Sequence, residues 1–253
     1  SWAAPQATDD GYKVAFSVDV NGNDIYTSSM SADERYAAAL QAALGYFEAA
    51  GYTVTDGKLT AAPEGAALEY ELQIPADGSG DHPAFMMVSE ASKALETIGM
   101  KLIITDLSDS STLWDGIEAH QVDMWCAAWG ATIDPDMYQI YYSDVANFSG
   151  DLGTGKNPYG GPNQGGSNYM YCIADPELDQ MILDARNSLD QSYRKAMYKA
   201  CLDTVVDWAV EVPVYQRQNA IIFSTERVNM STVTPDITTF YGWLSEIENI
   251  ELN

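Results

Sequence analysis

The glycine-rich segment that begins at Gly150 resembles a nucleotide-binding loop at first sight. Its letters, GDLGTGKN, approach the pattern GxxxxGK[ST], in which main-chain amides surround a phosphate while a lysine and a hydroxyl complete the site. Such a loop binds phosphate only where a helix begins directly after it and turns its N-terminus toward the anion. Pro158 and Pro162 follow instead, and Asn157 stands where the hydroxyl is needed. We therefore expect an irregular loop without phosphate affinity.

Other residue types that carry catalysis give weak signals. The chain has no GxSxG motif, and His82 and His120 stand far apart without a second ligand one helical turn away. Its cysteines, Cys126, Cys172 and Cys201, form no CxxC pair. If the protein is exported, one disulfide can form, with Cys126 and Cys172 the favoured pair. We expect no catalytic residue, no cofactor and no bound metal.

The acidic composition bears on partners and on one alternative function. With 37 Asp and Glu against 12 Lys and Arg, the net charge is −25. Such a surface repels nucleic acid, so we expect no nucleic-acid partner. Two carboxylates could also hydrolyse a glycoside, but among so many acids some pairs lie close by chance. A secreted carbohydrate-active enzyme is therefore kept as an alternative, together with a surface module that binds no small ligand.

Aromatic residues are dense around the glycine-rich segment. Considered one at a time, they are better explained as packing residues than as ligand contacts. Trp129 is the exception, because it follows a predicted strand and opens a loop that contains Gly130. Open α/β sheets bind ligands beyond the carboxyl ends of their strands. We therefore expect Trp129 to be a partly exposed pocket residue. The other aromatic residues around the glycine-rich segment, interpreted as packing residues, are Trp125, Tyr138, Tyr141, Tyr142, Tyr159, Tyr169 and Tyr171.

Strands and helices alternate in the segment that precedes Trp129. Residues 68–74 alternate apolar and polar side chains, which predicts a half-buried strand. A helix from about Pro83 to Gly99, a strand over 101–106, a short helix over 111–120 and a strand over 122–128 follow. This order predicts right-handed crossovers with parallel pairing, and hence an α/β fold.

Further elements flank this unit. The capping box Ser31-Ala-Asp-Glu34 predicts a helix that ends near Gly51. Asp175 and Asp190 are predicted N-caps of two helices, the first running through residue 185 and the second to about residue 210. Residues 212–215 and 220–223 are predicted as short strands, and residues 148–169, with seven glycines and two prolines, as a long loop.

Four stretches, in the same order along residues 31–217, resemble the extracellular solute-binding proteins of ABC importers, in their oligopeptide, dipeptide and nickel-binding class (family 5). The stretches are LGYFEAAGYTVTDGK, DMWCAAWGATIDPDMY, SNYMYCIADPELDQMILDAR and DQSYRKAMYKACLDTVVDWAVEVPVYQ. The resemblance implies a type II periplasmic-binding-protein-like lobe with a mixed, largely parallel sheet flanked by helices. It also implies that the chain is the carboxy-terminal half of a two-lobed protein.

The resemblance implies an organisation and a function as well. Residues 1–30 would enter from the first lobe, residues 31–217 would form the second lobe, and residues 218–253 would return toward the first. The function implied is that of a monomeric, non-enzymatic binding component, which takes peptides or another small solute to ABC permease subunits in the membrane. Its location would be extracellular, with a lipid anchor at the cell surface, or periplasmic.

The resemblance finally implies which residues bind the solute. Trp129 matches a tryptophan that lines the family's pocket. Thr132 stands where peptide binders often place an aspartate for the amino terminus of the ligand, and Ile133 stands where an aromatic residue often occurs. Asn168 and Tyr169 match the family's Asn-Tyr pattern and would supply hydrogen bonds. Because Thr132 brings no carboxylate, a charged amine would lose its partner there, and the choice between peptides and other solutes stays open.

Overall fold

The computed structural model describes residues 16–130, 132–145, 168–215, 221–235, 237–238 and 240–253, apart from the side chain of Tyr169. These residues divide into two compact units. The large unit is drawn from residues 13–128 and 136–212, and the small unit is drawn mainly from residues 129–135 and 213–253. The glycine-rich sequence GDLGTGKN lies outside the described residues.

Helix α1, Ala32–Ala49, begins at the predicted capping box. The amide of Ser31 donates to Glu34 Oε2 at 2.8 Å, and the amide of Glu34 donates to Ser31 Oγ at 3.3 Å. The helix ends before Gly51, whose φ of +92° is readily adopted by glycine. The sequence prediction for this helix is therefore confirmed.

A short hairpin that the sequence analysis did not predict follows α1. Strands β1, Thr53–Thr55, and β2, Lys58–Ala61, pair antiparallel. The turn between them contains Asp56 and Gly57, both at positive φ, as two-residue hairpin turns require. The amide of Leu59 donates to the carbonyl of Ile98 at 2.7 Å, which joins this hairpin to the end of the next helix.

The predicted parallel pairing of strands joined through helices is confirmed. Strand β3, Glu69–Ile74, leads through α2, Pro83–Thr97, to β4, Lys101–Asp106, and then through α3, Ser110–Glu118, to β5, Met124–Trp125. Both β4 and β5 pair with β3 in parallel, and the strand order is β4-β3-β5. Strand β5 is shorter than the predicted strand over 122–128. The large unit therefore has the predicted α/β fold.

The faces of the sheet differ as the alternation in β3 predicts. Leu72 and Ile74 are buried with Val88 of α2 and Leu102 of β4. On the opposite face, Glu69 and Lys101 form an exposed ion pair at 2.6 Å, and Thr105 Oγ1 donates to Glu71 Oε1 at 2.5 Å. The two carboxylates therefore have separate partners.

A helical pair forms the second part of the large unit. Helix α4, Tyr138–Tyr141, is followed by α5, Pro176–Asn187, and α6, Gln191–Trp208. Asp175 and Asp190 cap α5 and α6 as predicted, each accepting two main-chain amides. The core between α5 and α6 contains Leu178, Ile182, Ala185, Tyr198, Cys201 and Val205.

The small unit has little regular structure among its described residues. Residues 212–215 and 221–223 are not strands, so both strand predictions are wrong. Apolar alternation supplies only a local preference, whereas a strand also needs a neighbour for its amides and carbonyls. Its described residues contain an antiparallel bridge between Val228 and Leu252 and short 3₁₀ segments at Met230–Thr232 and Trp243–Asn249.

Within the described residues, no helix is both long and apolar enough to cross a membrane. The domain boundaries expected at residues 30 and 217 stay a prediction.

Candidate functional site

The five residues predicted to bind solute fall in two units. Trp129, Thr132 and Ile133 belong to the small unit, whereas Asn168 and Tyr169 belong to the large unit. The geometry of each group is defined within its own unit.

The segment 129–135 presents apolar side chains to solvent. Trp129 is 49% exposed and Ile133 is 79% exposed. The hydroxyl of Thr132 donates to the carbonyl of Asp134 at 2.7 Å, which closes a local turn. The expected partial exposure of Trp129 is confirmed, and its contact with a solute stays a prediction. The proton of Thr132 is already used within this turn, so Thr132 has only its oxygen lone pairs to offer a ligand.

Asn168 is a buried anchor of the large unit, with 2% exposure. Its Nδ2 donates to the carbonyl of Ile173 at 3.2 Å and to that of Tyr141 at 3.4 Å. Its Oδ1 is buried and has no hydrogen-bond partner among the described residues. Both amide hydrogens serve the fold and Oδ1 is buried, and the solute contact expected of Asn168 stays a prediction. Tyr169 lies in the same short helical segment, Asn168–Met170.

Asp179 is a second buried anchor, and the sequence analysis missed it. Ser143 donates to this carboxylate through its amide at 2.6 Å and through its hydroxyl at 2.8 Å, and the amide of Val145 donates at 3.1 Å. A buried carboxylate requires donors of this kind, because an unpaired charge is very costly away from water. The sequence feature that could have indicated this anchor is the position of an acidic residue next to Leu178, on the apolar face of α5.

Asp179 and Asn168 hold chain positions on either side of the glycine-rich segment in the sequence. Asp179 accepts hydrogen bonds from Ser143 and Val145, and Asn168 donates to the carbonyl of Tyr141. Residues 143–145 and Asn168 are therefore both held by hydrogen bonds within the large unit.

A row of aromatic rings joins the sheet to the helical pair. Trp125 lies 5.9 Å from Trp114 and 5.7 Å from Tyr171, and Tyr171 stacks on Tyr141 at 5.5 Å, measured between ring centroids. The hydroxyl of Tyr141 donates to Glu211 at 2.6 Å. Burial, and then this hydrogen bond, raise the pKa of Tyr141 above the ordinary value for tyrosine. These rings are half-buried against each other, as expected of packing residues.

A smaller polar and aromatic cluster fixes the chain directly after the segment 129–135. Asp136 accepts the amide of Tyr138 at 3.0 Å and pairs with Arg186 at 3.3 Å. The Arg186 guanidinium lies 4.2 Å from the centre of the Tyr138 ring, which stacks on Tyr142 at 4.5 Å. The cation and the rings together hold α4 against α5.

The cysteines do not form the disulfide that the sequence left open. No disulfide joins Cys126, Cys172 or Cys201, and Cys172 Sγ lies 4.0 Å from His120 Nδ1. Burial raises the pKa of the Cys126 and Cys172 thiols, so it disfavours the reactive thiolate. In the part of the chain that the structure describes, no cluster of three or more His, Cys, Asp or Glu residues could hold a metal ion.

Comparison with known proteins finds likeness in solved structures only. No family model matches the chain, and no curated protein matches it. NikA from Brucella suis, in complex with Fe(III)-EDTA, is similar with a TM-score of 0.46 at 21% identity. The oligopeptide-binding protein AppA from Bacillus subtilis, in complex with a nonapeptide, is similar with a TM-score of 0.49 at 16% identity. The mannohexaose-bound periplasmic oligopeptide-binding protein TM1223 from Thermotoga maritima gives 0.49 at 14% identity.

These matches cover most of this chain and a minor part of the other proteins. They cover 69%, 78% and 70% of this chain but only 30%, 35% and 30% of NikA, AppA and TM1223, in that order. The chain therefore spans about a third of the length of these solute-binding proteins. These proteins are of the class that the sequence motifs resemble.

Proposed function

We propose that this chain is part of the solute-binding component of an ABC-type importer, which takes peptides or another small solute to membrane permease subunits. In this proposal the chain binds solute without catalysis and acts outside the cytoplasmic membrane. It forms one lobe of the protein and part of the segment that returns to the other lobe. In this proposal the full-length protein is held at the cell surface by a lipid anchor or lies free in a periplasm. The observation that carries the proposal is the exposure of Trp129.

A large aromatic side chain that is half exposed needs an explanation. Burying a tryptophan contributes several kcal/mol in a core, and Trp129 is instead a surface residue of a short loop. Ile133, in the same loop, is still more exposed. Adjacent exposed apolar side chains are typical of surfaces that bind a ligand or a partner. Stacking on Trp129 and contact with Ile133 would supply apolar binding energy for a solute.

Polar groups would orient the solute in this proposal. Thr132 can accept a hydrogen bond while its own proton stays with Asp134. The solute contacts expected of Asn168 and Tyr169, which belong to the large unit, stay predictions from the sequence. Position 132 carries a threonine, so it has no carboxylate to pair with a charged amine. The proposed solutes therefore include neutral molecules as well as peptides.

Isothermal titration with short peptides, nickel chelates and oligosaccharides tests the proposal. For any solute that binds, Trp129→Ala should weaken binding by about 1–3 kcal/mol while leaving the melting temperature nearly unchanged. Trp208→Ala is the matched control, because Trp208 is also about half exposed and bonds only to the Asp175 cap of α5 in the described structure. It should leave solute affinity unchanged.

Two outcomes would contradict the proposal. One is the absence of saturable binding across the three solute classes. The other is a loss of stability of about 3–5 kcal/mol for Trp129→Ala, which would identify Trp129 as a packing residue. Turnover of an oligosaccharide in the same titrations would favour the enzymatic alternative.

A further inference from the structure

The chain leaves the segment 129–135 at a carboxylate with two different partners. Asp136 is the first residue of the large unit after this segment. One of its oxygens, Oδ1, accepts the amide of Tyr138 at 3.0 Å, and the other, Oδ2, lies 3.3 Å from Nε of Arg186. Both oxygens are therefore used to hold the chain directly after the segment.

Arg186 holds this stretch through a second contact. Its guanidinium lies 4.2 Å from the centre of the Tyr138 ring, and that ring stacks on Tyr142 at 4.5 Å. Met137, between the two residues that Arg186 contacts, is buried in the core of the helical pair. Three consecutive residues, 136–138, are thus fixed by contacts within the large unit.

The ion pair between Arg186 and Asp136 differs from three other ion pairs of the large unit. Its side chains are 46% and 28% exposed. Exposed pairs contribute little, because water screens them and two flexible side chains must be ordered. Arginine can also pair with a carboxylate and stack on a ring at the same time, which lysine does less well. The side chains of the other three pairs are all more than half exposed, and these pairs are Lys93–Glu90, Lys101–Glu69 and Lys199–Asp203.

We propose that Arg186 is a positioning residue for the Trp129 segment, residues 129–135. By holding Asp136 and Tyr138, it restricts the conformations of the segment before a solute arrives, and so raises solute affinity without contacting the solute. A loop that is already ordered loses less conformational entropy when it binds. This inference rests on the function proposed for Trp129.

Fluorine NMR of the full chain labelled with 5-fluorotryptophan tests the positioning without a solute. The chain has six tryptophans, and the signal of Trp129 is the one that Trp129→Phe removes. Arg186→Ala should shift or broaden this signal, because the segment gains conformations. The signal of Trp208, which donates to Asp175 at the other end of α5, is the internal reference and should stay in place.

Titration with trialanine, nickel citrate and maltotriose tests the effect on affinity. For a probe that the unmodified chain binds, Arg186→Ala should weaken binding about fivefold or more. Arg186→Lys keeps a charge for Asp136 and should recover part of this loss. The double variant Arg186→Ala/Asp136→Asn should bind no more weakly than Arg186→Ala, because both changes remove the same contact.

The matched controls are Lys101→Ala and Glu69→Gln. They remove the ion pair at the amino ends of β4 and β3, with the same changes of charge as Arg186→Ala and Asp136→Asn. Both controls should leave the Trp129 signal and the solute affinity unchanged, and circular dichroism should show that every variant is folded. Asp136→Asn keeps an acceptor for the amide of Tyr138, and it replaces Arg186→Ala in both measurements if that variant is unfolded.

An unchanged Trp129 signal in Arg186→Ala would overturn the proposal whether or not a probe binds. So would a changed signal with unchanged affinity, or an equal change in the Lys101→Ala control. If the unmodified chain binds none of the probes, the function proposed for Trp129 is contradicted, and the fluorine signal alone decides whether Arg186 positions the segment.

Discussion

The large and small units differ in how far their apolar residues are buried. In the large unit, Leu178 and Ile182 of α5 are fully buried in a core that α6 completes. In the small unit, large apolar side chains such as Ile222, Leu244 and Leu252 are mostly exposed. The large unit also contains all the paired strands and longer helices among the described residues. It therefore has the features of a domain that carries its own core.

The comparison teaches that apolar composition alone does not make a core. Residues 212–215 and 221–223 are as apolar as the strands of the sheet, yet they have no strand neighbours in the structure. In the large unit, β4 and β5 both pair with β3, and α2 packs against one face of the sheet. Burial then depends on which elements meet, and exposed apolar surface in the small unit is available for contacts outside it.

The largest expected difference between the units is in the cost of truncating a leucine. Leu178→Ala should lower the free energy of unfolding by about 3–5 kcal/mol, because it leaves a cavity in a fully packed core. Leu244→Ala, the matched change in the small unit, should cost less than about 0.5 kcal/mol. Urea unfolding of both variants measures the difference. Equal losses would show that the small unit buries Leu244 in solution.

Glycine substitutions compare packing near the backbone of the two units. A Cβ at Gly99 would lie 2.6 Å from the carbonyl oxygen of Leu59, and φ is +89°, so Gly99→Ala should cost roughly 2–3 kcal/mol. Gly57 also has a positive φ, +72°, but a Cβ there would contact nothing. Gly57→Ala should therefore cost only the strain of placing alanine at a positive φ, about 1 kcal/mol. Gly242 of the small unit has negative φ and open space. Its change to alanine should cost nothing in thermal unfolding, and a loss equal to that of Gly99→Ala would contradict the comparison.

A third comparison concerns carboxylates that accept hydrogen bonds. Asp179→Asn should lower the unfolding free energy by about 1–3 kcal/mol, because the new NH₂ group faces donors that need an acceptor. In the small unit, Glu246 accepts the hydroxyl of Tyr241 at an exposed position. Glu246→Gln should therefore have an effect below about 0.5 kcal/mol. Chemical unfolding separates the two, and a neutral Asp179→Asn would show that the buried anchor is dispensable.

The smallest expected effect is a pH dependence within the large unit. The hydrogen bond from Thr105, and then that from Gln73, hold the pKa of Glu71 below its ordinary value. A lowered pKa in the folded state contributes stability above the unfolded value of about 4.3, and this contribution is lost as the pH falls through the folded value. Glu71→Gln should therefore flatten the acid side of the stability curve. Thr105→Val should do the same, and an unchanged slope in both variants would contradict the assignment.

Much of the large unit could be predicted because its signals are local or periodic. The capping box at Ser31 involves residues three apart, and the Asp175 and Asp190 caps reach amides two and three residues ahead. The alternation in β3 gives its buried face, and the order of strands and helices gives parallel pairing. Trp129 was singled out by its place after a strand, and its exposure agrees with that choice.

The sequence by itself determined the helix starts, the crossovers and the α/β class, because these depend on residues within a few positions or on a repeating period. Only the tertiary structure decided that Asn168 is buried, that Asp179 holds Ser143 across 36 residues and that no disulfide joins Cys126 to Cys172. It also decided that two apolar stretches form no strands. Those outcomes depend on which distant segments meet, and a hydrogen bond or a buried surface requires both partners in place.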